Sequence, residues 1–384
     1  MWSSHTYELE AIELGRPRET IDASIEQIEN LNETNPPAPA ILTLNHLAKR
    51  TGVGYEWLRA FVMRQLMPGM DGDARPYRKF SIRKRSGGYR TIHIPEPKLM
   101  HTQRWINYHI LREVSPHSAS QAFTNGCSIK KCAIKHCGAQ WMIKIDLEDF
   151  FGSVTEIQVY RVFRSLGYQA LVSFELARLC TITPGDRSLR SRHPHWRVWK
   201  PNKEIPTYSK KYLGFLPQGA PTSPRLANLV MRRCDQEIQK LAKSYGLTFT
   251  RYSDDLCFST RTKKFNRHAA SKFIGEAYMV LAKYGYQPNL RKTSVVPPGA
   301  KKVVLGLTVD GQEPKISKEV RDKIRQHLYY LAKVGAAEHA HRRGFDSVWG
   351  LKCHLRGLID FAHMIDEDLA QSYIKKFNEV DWPV

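Results

Sequence analysis

Two adjacent carboxylates, Asp254 and Asp255, sit in the middle of a run of β-formers, Phe249-Thr250-Arg251-Tyr252-Ser253-Asp254-Asp255-Leu256-Cys257-Phe258. Leu247 to Ser259 therefore reads as a hairpin with the acids in its turn. Like charges repel and desolvation raises their pKa values, so such a pair is costly in a packed hairpin. An ordinary turn also accepts Asp-Asp. A third acid alters the weighing, because the apolar strand Met142-Ile143-Lys144-Ile145 ends in Asp146. Carboxylates brought together from separate strands can hold two Mg²⁺ ions, hard cations that prefer oxygen ligands, with Mn²⁺ as a substitute. Two such ions about 3.5–4 Å apart would activate a 3′- or 2′-hydroxyl and stabilise a leaving pyrophosphate in an in-line displacement.

The chain around these acids is strongly basic. Its 384 residues include 59 Lys and Arg against 37 Asp and Glu, a net charge of +22. That excess points to a polyanionic partner, nucleic acid before others, since neutralised phosphates release counterions. Residues 1–40 run the other way, with eight acids and two bases, so the rest of the chain carries +28. This acidic arm ends in Pro36-Pro37-Ala38-Pro39, which reads as a linker. It is either a solvated tail or a docking segment for a protein. No run approaches the ~18 apolar residues of a membrane span, and the first thirty residues are too acidic for a signal peptide. A cytoplasmic protein without membrane contact is the expectation. Seven cysteines form no even framework and no CxxC pair. Cys127, Cys132 and Cys137 lack the spacing of zinc knuckles, so reduced thiols are expected.

Hydrophobic periodicity gives two helices between Leu42 and Leu66, split at Gly52 and Gly54. Tyr77 to Pro95 alternates like a hairpin turning at Ser86-Gly87-Gly88. Helices follow at 98–114, Ser223–Tyr245 and Asn266–Tyr284, a strand at Val303–Val309, and a largely helical segment from 316 to 384. The stretch 185–215 shows no period and is rich in bases, Arg187, Arg190 and Arg192 among them. A long structureless stretch of this kind is functional or disordered, and here it suits RNA contact.

Between the acidic segments lies Leu216-Pro217-Gln218-Gly219-Ala220-Pro221-Thr222-Ser223-Pro224, a rigid turn running into a helix. Gly219 permits close backbone approach, Gln218 offers an amide to a base or sugar edge, and Ser223 is placed to cap the helix with Pro224 at its first position. In this order, Asp146 with Phe150-Phe151, Leu-Pro-Gln-Gly at 216–219 and Tyr-Ser-Asp-Asp at 252–255 resemble the palm motifs of the reverse transcriptases. The combination is highly specific. Narrower likeness is to the bacterial retron enzymes, carried by Ile145-Asp146-Leu147-Glu148-Asp149-Phe150-Phe151 and by Arg251 to Leu256. Two retron motifs depart at one position each. Asn-Ala-x-x-His stands here as Cys132-Ala133-Ile134-Lys135-His136, and Val-Thr-Gly as Val304-Leu305-Gly306.

The resemblance implies an α+β right-hand polymerase, with fingers, a palm whose antiparallel sheet carries Tyr-x-Asp-Asp, and a helical thumb. Its divisions would be the arm at 1–40, N-terminal helices and fingers at 41–140, palm at 141–300, and primer-grip strand with thumb at 301–384. Asp146, Asp254 and Asp255 would be both the catalytic residues and the metal ligands. Arg90 and Lys84 would grip the nucleotide triphosphate, and Lys292 would lie near the pyrophosphate. Phe151 would sit under the sugar and exclude a ribose 2′-hydroxyl, although a core aromatic suits that position equally. Val304-Leu305-Gly306-Leu307 resembles the primer-grip hairpin.

Lys318, Arg321 and Arg325 share an amphipathic helix whose basic face suits a template–primer backbone or plain solvent. Arg342, Arg343, Lys352 and Arg356, interleaved with Phe345 and Trp349, form a basic–aromatic stretch suited to structured RNA. The implied function is RNA-directed DNA synthesis from dNTPs. A retron enzyme would copy a cognate non-coding RNA from a guanosine 2′-hydroxyl, leaving a branched RNA–DNA hybrid (msDNA) that works with an effector protein in anti-phage defence. Other readings are a different defence-associated or group II intron-like reverse transcriptase, or a non-catalytic RNA-binding scaffold.

Overall fold

A computed structural model describes residues 4–34, 38–65, 76–83, 87–184 and 213–383; Lys84, Arg187, Arg190 and Arg192 lie outside the described residues. The elements begin with helices α1 (Ser4–Glu13), α2 (Arg18–Thr34), α3 (Leu44–Thr51) and α4 (Tyr55–Val62). Strands β1 (Tyr77–Arg83) and β2 (Tyr89–Pro95) precede α5 (Pro97–Ile106) and α6 (Ile129–Ile134). Next come β3 (Trp141–Asp146), the single turn α7 (Phe150–Ser153), α8 (Glu156–Ser165) and α9 (Ala170–Cys180). Beyond residue 213 are α10 (Ser223–Val230), α11 (Arg232–Ser244), β4 (Thr248–Tyr252), β5 (Asp255–Thr260) and α12 (Arg267–Lys283). Short strands β6 (Ser294–Val296), β7 (Val303–Val304), β8 (Leu307–Thr308) and β9 (Lys315–Ile316) lead to α13 (Lys318–Arg342), α14 (Val348–Ile365) and α15 (Glu367–Asn378). Among the described residues no helix is long and apolar enough to cross a membrane.

The chain divides into two compact units. The first comprises 1–124, 147–236 and 281–287. Here β1 and β2 form an antiparallel hairpin with Ile82 opposite Arg90. Thr155 and Gln158 cap α8 reciprocally, the side chain of each meeting the backbone N–H of the other. That cap sets Glu156 at the first helical position, where it is wholly buried. The composition of the acidic arm left a solvated tail and a protein-docking segment both open. Most of the arm is helix, and α2 buries Ile21, Ile28 and Leu31. A Cβ on Gly167 would come within 3.1 Å of the Leu31 backbone, so α2 packs tightly against the turn after α8. The seven-residue spacing of Ile21 and Ile28, with Leu31 three further on, keeps one apolar stripe on a helix that is otherwise acidic.

The second unit comprises 125–146, 237–280 and 288–384. Its four-stranded sheet runs β4-β5-β3-β6, with every pairing antiparallel. β3 is a central strand whose Trp141, Met142, Ile143 and Ile145 are all buried rather than alternating, so both faces of the sheet are covered there. The segment Val303–Val309 is a tight hairpin, not one strand. Leu305 and Gly306 turn with φ of 50° and 83°, and Val304 pairs with Leu307. Apolar alternation runs straight through that turn in the sequence, so periodicity alone concealed it. α13 breaks at Gly335, whose φ of 78° is left-handed, and Leu351, Leu355, Ile359 and Ala362 of α14 join Ile324 and Leu331 in one core.

Candidate active site

β4 and β5 are joined by Ser253 and Asp254 alone, and Tyr252 pairs with Asp255 to close the hairpin. β5 also sets Asp255 directly opposite Asp146, the last residue of β3. Directly opposed residues hold their Cβ atoms about 4.5–5.5 Å apart, so the register itself draws two carboxylates from sequence-distant strands together, with the third next in the chain. A two-residue hairpin demands positive φ at its first turn position. Ser253 supplies it with φ of 59°. The wholly buried Arg251 steadies that turn, its Nη1 donating to the Ser253 carbonyl at 2.9 Å.

The electrostatics follow from the crowding. Desolvation of its carboxyl group, then the Asp254 and Asp146 charges, push Asp255 up to about 6, although the residue as a whole remains exposed. Asp146 is relieved by Lys292, whose Nζ lies 2.9 and 3.0 Å from its two carboxylate oxygens. That hydrogen bond holds the Lys292 ammonium above its ordinary range. The backbone makes the contact local. Asn289 N–H donates to the Asp146 carbonyl at 2.7 Å, and Lys292 and Thr293 N–H both return to the Asn289 carbonyl. Three carboxylates are a donor set that fits a hard divalent cation. Among the described residues no group of three His, Cys, Asp or Glu side chains is drawn up tightly enough to hold a metal ion; Asp146 takes Lys292 instead.

Other candidates lie in the first unit. Arg90 is exposed on β2, Gln218 is half-buried, and Gly219 is exposed. The turn 216–219 is fastened to the hairpin, since His93 N–H donates to the Gln218 carbonyl at 2.7 Å. The need for glycine at 219 is steric: its φ is 112°, and a Cβ would lie 2.8 Å from both the His93 carbonyl oxygen and Ile92 Cγ2. Gly219→Ala should therefore separate β2 from the turn. Overpacking of this kind costs typically about 1–3 kcal/mol, which a shift in the urea midpoint would reveal; an unchanged midpoint would refute the close approach. Ser223 does not cap α10. It already has helical backbone, and its hydroxyl turns back to donate to the Pro217 carbonyl at 2.7 Å. Phe151 is half-buried, with its ring centroid 5.5 Å from Phe150 and 6.4 Å from Phe123.

Basic candidates of the second unit are partly engaged with one another's neighbours. Arg342 pairs with Glu338 at 2.6 Å, Arg356 with Asp360 at 2.9 Å, and Arg325 with Asp322 at 3.9 Å. Arg343 donates to Gln326, and Lys352 lies 5.6 Å from each of the Trp349 and Trp382 rings. Lys318 stands at the first position of α13, and Arg321 follows one turn later.

Sequence reasoning passed over Phe123, which reaches Phe151 with a left-handed φ of 58°. It is held by Asn228, whose Nδ2 donates to the Ala122 carbonyl at 2.7 Å. It also passed over the buried Glu156, treated below. Neither lies in an acidic or glycine-rich string, and only contacts between segments distant in the chain reveal them.

Comparison with known proteins shows a family likeness over most of the chain. A family model described as "Reverse transcriptase (RNA-dependent DNA polymerase)" matches residues 82–309. The Retron Mx162 reverse transcriptase of Myxococcus xanthus is 30% identical over 344 residues, covering 87% of this chain and 66% of that protein. The Retron Ec86 reverse transcriptase of Escherichia coli is 31% identical over 324 residues, covering 84% of this chain and 88% of its own length. Among solved structures, a telomerase from Candida albicans aligns with a TM-score of 0.44 at 12% identity, over 85% of this chain and 59% of that one.

Proposed function

Because this chain belongs to the reverse transcriptase family, and within it to the retron enzymes, we propose that it copies a structured cognate RNA into DNA at Asp146, Asp254 and Asp255. The single observation that carries this reading is the register that opposes Asp146 to Asp255 and leaves Asp254 in the adjoining turn. Those three carboxylates would hold divalent metal, Mg²⁺ in the first place. When bound, two such ions activate the attacking hydroxyl and stabilise the departing pyrophosphate. In the reaction the hydroxyl oxygen bonds to the α-phosphorus as the bond to the β-phosphate bridge breaks, and the hydroxyl proton is lost to solvent.

Around that centre this chain's own residues bind and orient. Lys292 is a compact cation on a flexible stem, so it can exchange Asp146 for the phosphates of an incoming nucleotide. Arg90, exposed on β2, offers a fork of donors suited to phosphate oxygens, and Lys84 is assigned with it from the sequence. Gln218 and Gly219 would border the base and sugar. Lys318, Arg321, Arg325, Arg342, Arg343, Lys352 and Arg356 would neutralise template and product phosphates, together with Arg187, Arg190 and Arg192. The sheet β4-β5-β3-β6 would then belong to the palm, β7 and β8 to the primer grip, α13, α14 and α15 to the thumb, and β1–β2 to the fingertips. Phe151 would lie under the sugar as a steric barrier. Phe151→Ala should accordingly raise the ratio of ribonucleotide to deoxynucleotide incorporation by on the order of tenfold or more; unchanged sugar selectivity would remove that role.

The finer reading is a branched RNA–DNA product, primed from a guanosine 2′-hydroxyl and serving with an effector protein in anti-phage defence. Likeness to the retron enzymes supports it. The decisive experiment is to purify the protein from its host and sequence the co-purifying RNA and DNA with and without debranching enzyme. A 2′–5′ linked hybrid is expected; a protein carrying only unbranched DNA would belong to the broader defence-associated group, and one carrying RNA alone would be a scaffold.

A further inference from the structure

His136 is 1% exposed, and both of its ring nitrogens are engaged. Nε2 lies 2.7 Å from the Thr250 hydroxyl on β4, and Nδ1 lies 2.7 Å from the Ser259 hydroxyl on β5. Cys132, one turn earlier, directs its thiol to the same Thr250 oxygen at 3.4 Å. A buried histidine with two partners is most often simply a satisfied core residue, so the identity of the partners decides the matter. Thr250 stands two residues before Tyr252, and Ser259 four residues after Asp255. They are not opposed to each other: Ser259 pairs with Thr248, and Thr250 with Cys257. The ring therefore bridges a diagonal pair on one face of the hairpin. Side chains alternate faces along a strand, so a slip of one residue between β4 and β5 would carry one hydroxyl to the far side and orphan a ring nitrogen. The same β5 register opposes Asp255 to Asp146.

We propose that His136 is a positioning residue for nucleotide addition, locking the register of β4 against β5 through Thr250 and Ser259 and so fixing where Asp254 and Asp255 stand. The inference rests on the polymerase reading above and deepens it. Burial pushes the His136 ring down to about 4, so at working pH it is neutral, with one donor and one acceptor. Each hydroxyl then takes the complementary role whichever nitrogen carries the proton. Cys132 supplies a further donor to Thr250, so the Cys132-Ala133-x-x-His136 string anchors the end of α6 to the strand that leads into the acidic turn.

The test uses the full chain on poly(rA) primed with oligo(dT), with Mg²⁺ and dTTP, comparing His136→Ala, Thr250→Val, Ser259→Ala and the double variant His136→Ala/Thr250→Val. A misplacement of about 1 Å can cost 10²-fold, so kcat should fall by about 10²-fold in His136→Ala and Thr250→Val. KM for dTTP should stay within about twofold, because substrate contacts are untouched. The Mg²⁺ concentration for half-maximal rate should rise by about tenfold, the scale of losing a residue that orients metal ligands. The double variant should be no slower than the worse single one, since both break one interaction. Thr250→Val is nearly isosteric, which keeps the test usable where His136→Ala does not fold. Folded variants with wild-type kcat and wild-type Mg²⁺ dependence, or losses that multiply in the double variant, would overturn the positioning role while leaving the polymerase reading intact. A wild type that does not extend the primer would overturn that reading, and this inference with it.

Discussion

Asp254→Asn or Asp255→Asn should lower the rate of nucleotide addition on an RNA template by on the order of 10³-fold or more while leaving the fold intact. A bound metal supplies several kcal/mol of transition-state stabilisation, and each ~1.4 kcal/mol is worth tenfold in rate. Loss of folding would be a trivial cause, and thermal melting separates the two. Asp255 is pushed up to about 6 by desolvation and by Asp254 and Asp146. Removing its charge therefore relieves repulsion, and Tm of Asp255→Asn in Mg²⁺-free buffer should equal or exceed that of the wild type. Asp146→Asn should be as inactive with a smaller gain in Tm, because it relieves part of the same repulsion but removes the partner of Lys292. That ion pair is half open to solvent on the lysine side and contributes little to stability. Primer extension alongside thermal melting checks both halves. Activity retained at wild-type level in Asp254→Asn would refute the metal-ligand assignment outright.

Glu156→Ala should produce the largest loss of stability, about 3–5 kcal/mol, the usual consequence of removing one partner from a buried ionic cluster. The Glu156 side chain is 1% exposed and meets Arg64 at 2.7 Å and Arg178 at 3.2 Å, with Arg178 itself 4% exposed. The Thr181 hydroxyl adds a hydrogen bond at 2.8 Å, and Arg64 and Arg178 also donate to the Thr181 and Val62 carbonyls. These contacts tie α4, α8 and α9 together around one carboxylate. Without it, two guanidinium groups would lose the carboxylate that they share in the interior. Burial opposes ionisation of Glu156, yet Arg64, Arg178 and the Thr181 hydroxyl outweigh it and hold the carboxyl below the ordinary range. A depressed carboxylate contributes stability above its unfolded value, and that contribution is lost as pH falls through the folded one. The wild type should therefore lose stability from this group as pH falls below about 5, where an unfolded glutamate begins to protonate, and Glu156→Gln should show a flatter profile there. Urea denaturation across pH measures it. A change under about 1 kcal/mol for Glu156→Ala would contradict the buried cluster, since that is the scale of an exposed ion pair.

The two predictions differ in how far the sequence anticipates them. Asp146, Asp254 and Asp255 were legible because acids among β-formers violate a local expectation, and a violated local expectation is visible in a single string. Glu156 was not, because at the start of a helix an acid satisfies every local rule. Its burial depends on Arg64 and Arg178, which lie 92 and 22 residues away. The same holds for Gly219. Its turn was legible, but the close neighbour proved to be the backbone of His93, more than a hundred residues earlier. The arm at 1–40 stayed open between a solvated tail and a docking segment for a related reason. Its acidic composition outweighed the stripe of Ile21, Ile28 and Leu31, which acquires meaning only when another surface covers it. His136 was legible only as the matching end of a motif that departs at Cys132, and its role came into view with Thr250 and Ser259 at its two nitrogens.

By itself, then, the sequence determined many of the helices, the strands that end in acids and the family to which they belong. All of these depend on patterns within a dozen residues or on the succession of such patterns. The tertiary structure alone decided the register that opposes Asp146 to Asp255, the lysine that neutralises one of them, the histidine beneath their hairpin and the carboxylate that joins three helices. The physical reason is that each of these is a pairing between groups far apart in the chain. Burial and hydrogen-bond geometry set its strength, and neither exists until the chain has folded.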